Sequence, residues 1–385
     1  MTLRRWIRTC LIIILLCGGK LGIAQVTEWS NTQKIRNNSV YTTILGEDEN
    51  GIYMLRHRNK NMSRFVVLER YRHNLGLEIS KSYILKNARI LYADVNEMGI
   101  MILKLVYDKK DDGYNVIASN LNNSFEIISS ETTLLHINSS ELETEPQFLI
   151  KTSPDHRNYF LFYLELLSNK SRRASYFSFD VNLKETSHGE TIINKNHSIE
   201  SFEVATDNQL QFLMLFTLKK NKNQHSDLAI VAKEKDSLMV QHFSDSNYYF
   251  EELRLLCNAQ TGEKGITGLY TTAIENGYEG DFSYRWHHLK TDTFKPVLNP
   301  FSKALITEIE DEATAKEGFL PTSYKTIKII LRSNGGYIKV NESSFMIKDQ
   351  EIIMMNGVAS TLGKNVYNFE NVFIQNFDSS GKLVW

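Results

Sequence analysis

Short apolar segments separated by tight turns run through almost the whole chain. Between the turns, the residues either alternate apolar and polar or are continuously apolar, and β-branched and aromatic side chains are frequent. Two series of turns alternate, and each is rich in Asn, Asp, Gly and Ser. The first lies at 48–51, 96–99, 154–158, 206–209, 261–265 and 333–336, and the second at 73–76, 120–124, 180–184, 233–237, 290–293 and 378–382. The pattern predicts repeated pairs of β-hairpins.

Six repeats of four strands follow when one strand is placed on each side of every turn. The repeats begin near Val40, Ile90, Gln147, Ile199, Glu251 and Tyr324. Spacings of about 50 to 70 residues are typical of four-stranded propeller blades. We therefore predict an all-β fold, a β-propeller of about six four-stranded blades, within one domain covering residues 25–385. Tandem β-sandwiches are the alternative, although they would not produce six similar hairpin pairs.

One segment, Pro300–Gly318, departs from the strand pattern. Its apolar side chains recur at helical spacing, at Phe301, Leu305, Ile306, Ile309 and Ala313. Gly318 is a suitable residue for the end of a helix. The segment predicts one short amphipathic helix packed over the connection between the fifth and sixth repeats.

The first 24 residues have the features of a secretory signal peptide. Arg4, Arg5 and Arg8 precede the apolar run Leu11–Cys17, and Gly22-Ile23-Ala24 provides small residues for signal peptidase. The apolar run is much shorter than the roughly 20 residues of a membrane-spanning helix. We predict cleavage after residue 24, no membrane span in the mature chain, and export to the periplasm, the outer surface or the medium.

Charge and cysteine content narrow the possible partners. The leader contains four of the 44 Lys and Arg and none of the 45 Asp and Glu, which leaves 40 positive and 45 negative groups in the mature chain. This balance gives no reason to expect nucleic acid as a partner. Cys10 and Cys17 lie in the leader, so Cys257 is alone in the mature chain and no intrachain disulfide can form. Stability must come from the core.

The chain ends only a few residues after its last turn. In a closed propeller both termini usually complete the final blade, and residues 27–35 could supply such a strand. The alternative is that the chain is the propeller portion of a longer polypeptide, with the sixth repeat left with an open edge.

Several runs in the last third of the sequence resemble a family of uncharacterised secreted β-propeller-like proteins of Gram-negative bacteria. These runs are Gly265–Tyr270, Gly280–Tyr284, Asn334–Ile338 with Glu342, and Asn371–Trp385. The resemblance covers roughly Glu251 to Trp385 and implies export to the cell envelope, and it implies continuation of the chain past Trp385. Separately, Ser153-Pro154-Asp155 is similar to the SPD-type turn of TolB-like and WD40-like propeller repeats. No activity is implied by either resemblance.

Local signatures of catalysis or cofactor binding do not occur in the mature sequence. It contains no G-x-S-x-G, P-loop, G-x-G-x-x-G, H-E-x-x-H or C-x-x-C motif. We therefore predict no catalytic, cofactor-binding or metal-binding residues. Propeller glycosidases can assemble carboxylates from several blades without a local motif, so a hydrolase with its active site in the central channel is the alternative.

Five groups of residues have side chains that could carry chemistry. Asp48 to Asn50, and Asp108 with Asp111 and Asp112, offer oxygen atoms to calcium, although acidic residues also favour turns. His287 and His288 should point to opposite faces of a strand and so could not share a metal. Cys257 follows two leucines, as a small buried thiol would. The basic run Lys170–Arg173 is interpreted as a solvated loop.

Aromatic residues late in the chain are the candidate binding surface. They are Tyr248, Tyr249, Phe282, Tyr284 and Trp286. Such rings offer large contact areas to a glycan or peptide, and packing between blades explains them equally well. The sequence therefore predicts an exported, non-catalytic binding or scaffold protein that presents propeller loops to a protein or glycan.

Overall fold

The computed structural model describes residues 41–57, 63–128, 130–194, 198–207, 210–219, 227–234, 237–258, 263–286, 289, 293–355 and 358–385. The predicted leader, residues 27–35 and the His287–His288 pair lie outside these residues. The described residues fall into two compact units, one within Met1–Lys104 and Ser119–Ser130, the other within Leu105–Ala118 and Glu131–Trp385.

Nearly all regular structure is β-strand. The strands are β1 Tyr41–Asp48, β2 Gly51–His57, β3 Ser63–Tyr71, β4 Leu77–Asn96, β5 Gly99–Asp108, β6 Gly113–Leu121, β7 Thr132–Asn138, β8 Gln147–Thr152, β9 Asn158–Leu166, β10 Arg172–Asp180, β11 Glu185–Asn194, β12 Ser198–Thr206, β13 Phe212–Lys219, β14 Asp227–Glu234, β15 Ser237–Ser244, β16 Tyr249–Cys257, β17 Lys264–Thr271, β18 Gly280–Trp286, β19 Val297–Pro300, β20 Tyr324–Leu331, β21 Tyr337–Met355 and β22 Val358–Phe377. Two α-helices, α1 Lys303–Ile309 and α2 Glu312–Glu317, and two short 3-10 turns, Ser139–Glu141 and Ile274–Asn276, complete the described elements.

Antiparallel meanders make up every described sheet. Sheet 1 contains β1 to β7 in chain order, sheet 2 contains β8 to β11, sheet 3 β12 to β15, sheet 4 β16 to β19, and sheet 5 β20 to β22. The third, fourth and fifth repeats thus each form one four-stranded sheet, and Gln147 and Tyr324 begin strands as predicted. The prediction of an all-β fold with propeller-type blades is confirmed.

Turn chemistry explains where the strands end. The predicted turns whose residues are all described, among them 48–51, 96–99, 154–158 and 333–336, lie at strand ends. At the first one, the Asp48 carboxylate accepts hydrogen bonds from the backbone N–H groups of Asn50, at 2.7 Å, and Gly51, at 3.2 Å. Gly51 has φ 142°, and a Cβ there would lie 2.1 Å from the Tyr71 carbonyl oxygen. A glycine is therefore required at this position.

The first two repeats share one sheet because a single long strand connects them. β4 is 20 residues long and runs through Ile90, where the second repeat was expected to begin. Its Asn87 has φ 52°, the left-handed conformation that Asn adopts more readily than most residues. The register with β3 shifts around Asn87, from Ile84 opposite Phe65 to Arg89 opposite Ser63, and the strand continues.

Apolar clusters lie between consecutive sheets. One cluster packs Phe160 and Phe162 of sheet 2 against Phe212 of sheet 3, with 4.9 Å between the ring centroids of Phe162 and Phe212. A second cluster joins sheet 3 to sheet 4 through residues such as Leu213 and Phe282. This face-to-face packing of successive meanders is the packing of propeller blades.

The predicted single helix is wrong in one respect, because the segment forms two helices. Ser302 caps α1 by accepting a hydrogen bond from Leu305 N, and Asp311 caps α2 by accepting from Thr314 N at 2.7 Å. The second cap restarts the helix and changes its phase, so Ala315 is buried where Ala313 was expected. Gly318 ends α2 in the left-handed conformation, as predicted.

The last residues lie beside β22. Val384 N donates to the Asn376 carbonyl oxygen at 2.7 Å, and Asn376 N donates to the Trp385 carbonyl oxygen at 2.8 Å. An isolated antiparallel β-bridge between Phe377 and Leu383 accompanies these bonds at the edge of sheet 5. Among the described residues, no helix is both long and apolar enough to span a membrane.

Candidate functional site

A cleft of about 560 Å³ lies between β7 and sheet 2, within the second compact unit. Ten residues line it: Leu134, Leu135 and His136 from β7, Tyr163 from β9, Tyr176 and Phe177 from β10, and Glu185, His188, Gly189 and Glu190 from β11. Its volume is that of a small-ligand pocket, and its lining combines aromatic rings with a few polar groups, as binding sites commonly do.

A β-bulge brings the polar residues of β11 to one face. In a regular strand, Glu185 and Glu190 would point to opposite faces because they are five residues apart. The register with β10 shifts between Ser178 and Phe179, so that Glu185 pairs with Phe179 while Glu190 pairs with Ser175. Both glutamates therefore share the face of His188, whose Nδ1 lies 2.6 Å from Glu185 Oε1.

One face of sheet 2 carries a buried ion pair next to the cleft. Glu165 is 1% exposed, and both of its oxygens accept hydrogen bonds from Arg173, at 2.7 and 2.9 Å. Ser175 Oγ donates to the same carboxylate at 3.1 Å. The pKa of Arg173 is raised, first by Glu165 and then by Glu190 and Glu141. The interpretation of Arg173 as part of a solvated loop is wrong, because it lies in β10 opposite Glu165.

The Tyr176 and His136 rings of the cleft each pack on a glycine, and the Tyr176 hydroxyl also has a hydrogen-bond partner. A Cβ at Gly189 would lie 2.8 Å from the Tyr176 ring, and a Cβ at Gly113 would lie 2.5 Å from the His136 ring, so both rings require a glycine beneath them. Tyr176 OH and Ser187 Oγ are 2.8 Å apart. Burial, with a contribution from Glu165, raises the pKa of Tyr163 to about 12, so its hydroxyl stays neutral.

Negative groups dominate the open part of the cleft. Among the described residues that line it, none is Lys or Arg, and the side chains of Glu185 and Glu190 are 49% and 62% exposed. Arg173 lies 3.7 Å from Glu190, but its guanidinium is already held by Glu165. The described part of the chain contains no cluster of three or more His, Cys, Asp or Glu that could hold a metal ion.

The aromatic residues predicted as a binding surface mostly lie in the core. Phe282, Tyr284 and Trp286 are buried in the cluster between sheets 3 and 4, and Tyr248 packs against that cluster. Phe282 lies 4.3 Å from the Phe250 ring, and Tyr284 5.6 Å from the Trp286 ring. Packing between blades, the alternative that the sequence left open, accounts for these three rings. Tyr248 and Tyr249 keep partial exposure, and their part in binding stays a prediction.

The other candidates have local roles in the structure. Asp48 caps its own turn, and hydrogen bonds from Tyr107 and Ser139 lower the pKa of Asp112. Cys257 is partly buried against the cluster between sheets 3 and 4, and burial raises the pKa of its thiol to about 11, as expected for a thiol of low reactivity.

A buried polar network without access to the cleft joins sheet 4 to sheet 5. Lys339 Nζ donates to Asp281 Oδ1 at 2.5 Å and to the Gly268 carbonyl oxygen at 2.9 Å. Gln375 Nε2 donates to the other oxygen of Asp281, and Asn341 Nδ2 donates to Gln375. Lys339 and Asp281 are both fully buried, and burial lowers the pKa of Lys339. Because solvent does not reach Lys339 or Asp281, we interpret this network as stabilising the fold.

Sequence reasoning did not find the cleft. Its residues come from β7 of sheet 1 and from β9, β10 and β11 of sheet 2, and the bulge that aligns Glu185 with His188 is not visible in the residue pattern. The only available signal was the concentration of Glu and His in the predicted outer strand of the third repeat.

No family model matches the chain, and no curated protein matches it in sequence. Among solved structures, it is similar to the β-propeller domain of the Trilobed protease from Pyrococcus furiosus, at 9% identity and TM-score 0.42 over 90% of this chain and 98% of that one. It is also similar to puromycin hydrolase, at 7% identity and TM-score 0.44 over 89% of this chain. An endo-arabinase from Bacteroides thetaiotaomicron gives 9% identity and TM-score 0.31, over 68% of this chain and 93% of that one.

The chain spans about half the length of puromycin hydrolase, of which 46% is covered. At such low identity, these similarities concern the fold alone. The resemblance to secreted proteins of Gram-negative bacteria stays a prediction in its sequence part, whereas its propeller part agrees with the described sheets. The chain is an all-β protein with propeller-type blades.

Proposed function

We propose that this protein is an exported binding protein that holds its ligand in the cleft between β7 and sheet 2 without converting it. The observation that carries the proposal is the cleft itself, in which aromatic rings and exposed polar groups converge on about 560 Å³. Among the described residues that line it, none is a Ser or Cys that could serve as a nucleophile.

The buried carboxylate beside the cleft also supports binding without catalysis. Both oxygens of Glu165 are held by Arg173, and Ser175 donates to one of them as well. A general acid or a nucleophile must present a free oxygen to the substrate, and both oxygens of Glu165 are already engaged by Arg173. The role of Glu165 is to hold the Arg173 guanidinium in place beside the cleft.

Arrays of peptides and glycans, probed with the labelled mature protein, test the proposal. We expect at least one class of ligand to bind, and we expect Tyr163→Ala to weaken that binding at least tenfold because the ring supplies contact area to the ligand. Tyr107→Ala is the matched control, since Tyr107 is a partly exposed tyrosine that does not line the cleft.

Two results would contradict the proposal. One is binding that Tyr163→Ala and Tyr107→Ala weaken equally, which would place the ligand elsewhere. The other is chemical turnover of a bound glycan or peptide, which would favour the hydrolase alternative. Circular dichroism of both variants distinguishes a loss of binding from a loss of folding.

A further inference from the structure

We infer that the ligand of the cleft is an extended polypeptide segment that carries basic side chains. This inference rests on the proposed function and adds the chemical class of the ligand. Three features of the cleft support it, namely its charge, its aromatic lining and the two strand edges that border it.

Charge selects a basic ligand. Glu185 and Glu190 are exposed on the same face of β11, and Glu141, with a side chain 64% exposed, lies 3.8 Å from Arg173. The neighbouring cations are already engaged, because Arg173 is bound to Glu165, and Lys233 donates to Ser187 at 3.0 Å while covering the Tyr176 ring at 5.4 Å. The open carboxylates therefore give the cleft a negative potential that attracts ammonium or guanidinium groups.

Aromatic rings beside the carboxylates suit the same groups. Tyr163 is half-buried and Phe177 lies under the cleft, so the aliphatic stem of a lysine or arginine can pack on a ring while its charged end reaches a carboxylate. The neutral Tyr163 hydroxyl can donate or accept one further hydrogen bond. A single cleft thus accommodates both parts of a long basic side chain.

Two strand edges favour a polypeptide over a glycan. β7 is the last strand of sheet 1, and β11 is the terminal strand of sheet 2. A terminal strand presents a row of backbone N–H and C=O groups on its outer side, and an extended peptide can pair with that row. A peptide paired along β11 would place every second side chain on the face of Glu185, His188 and Glu190.

Fluorescence anisotropy with defined peptides tests the inference. The probes are a labelled twelve-residue peptide of alternating Lys and Thr, the corresponding peptide of alternating Glu and Thr, and a labelled chitosan oligomer as a cationic glycan. We expect the Lys peptide to bind at least about tenfold more tightly than the Glu peptide at about 50 mM salt, and the preference to weaken at about 500 mM salt because salt screens exposed charges.

Two double variants test the contribution of the cleft carboxylates to binding, and a modified peptide tests the contribution of backbone pairing. The double variant E185Q/E190Q should weaken binding of the Lys peptide about five- to tenfold. The control E49Q/E97Q removes two exposed turn glutamates from another part of the chain and should leave binding unchanged. Methylation of alternate backbone nitrogens of the Lys peptide should also weaken binding about tenfold, because it removes donors to the edge strand.

Each opposite outcome overturns part of the inference. Equal binding of the Lys and Glu peptides, or equal effects of the two double variants, would show that the charge argument is wrong. Tighter binding of the chitosan oligomer, or no effect of backbone methylation, would show that the ligand is not a paired peptide. If a neutral ligand binds and Tyr163→Ala weakens it, the proposed function holds while this inference fails.

Discussion

At the scale of single residues, burial decides which polar groups stabilise the fold and which are free to bind. Glu165 and Asp281 are buried, and each is matched by a cation and by further hydrogen bonds. Glu185 and Glu190 are exposed; the first lies 2.6 Å from His188 Nδ1, and the second lies 3.7 Å from the Arg173 guanidinium that Glu165 already holds. Glutamate therefore stabilises the interior of sheet 2 at Glu165 and is exposed to solvent on β11 at Glu185 and Glu190.

The buried pair of Lys339 and Asp281 gives a stability prediction. Lys339→Met should destabilise the protein by about 3 to 5 kcal/mol, because it leaves the Asp281 charge buried without its cation. Adding Asp281→Asn to that variant should cost less than the sum of the two single changes, since the remaining charge disappears. Urea unfolding of the three variants measures this, and additive losses would show that the two residues are not coupled.

Cys257 gives a reactivity prediction. Its pKa is raised to about 11 from a model-compound value of 9.0, mainly by burial, so at pH 8 the thiolate fraction is about 100-fold lower than in an unfolded chain. Alkylation by iodoacetamide should be slower in the native protein by about this factor and should accelerate as the pH approaches 11. A native rate close to that in 8 M urea would contradict the raised pKa of the thiol.

At the scale of elements, the turns were predictable because Gly, Asn and Asp have specific backbone requirements. The sequences at 48–51, 180–184 and 333–336 all separate consecutive antiparallel strands, as expected. Two features were not predictable. β4 continues through Asn87 because one residue in the left-handed conformation can redirect a strand, and α1 ends at Ile309 because Asp311 forms a competing cap.

The inner strand β9 gives a prediction for core packing. Phe160→Ala or Phe162→Ala should destabilise the protein by about 3 to 5 kcal/mol, because both rings are fully buried against Phe212. Ile330→Ala, at a position 45% exposed in sheet 5, should change stability by less than about 0.5 kcal/mol. Thermal unfolding compares the variants, and an unchanged Tm for either phenylalanine variant would reject the packing of sheets 2 and 3.

At the scale of the whole molecule, the pattern of turns predicted the antiparallel meanders but not the site. Strand order within each sheet follows chain order, so counting hairpins identified the meanders. The cleft depends on tertiary proximity, since His136, Tyr163 and Glu190 come from three strands and two sheets. The aromatic residues singled out from the sequence lie largely in the core. The sequence could not show this, because apolar character alone does not distinguish packing from binding.

Carbodiimide cross-linking of the Lys–Thr peptide to the mature protein, followed by peptide mapping, tests most directly whether the cleft is the binding site. A carboxylate that touches a bound lysine forms an amide with it, so the position of the cross-link reports the position of the ligand. We predict cross-links at Glu185 and Glu190, and their loss when unlabelled peptide is added in excess. Cross-links spread over Glu49, Glu97 and other exposed acids, with no excess at β11, would contradict this account.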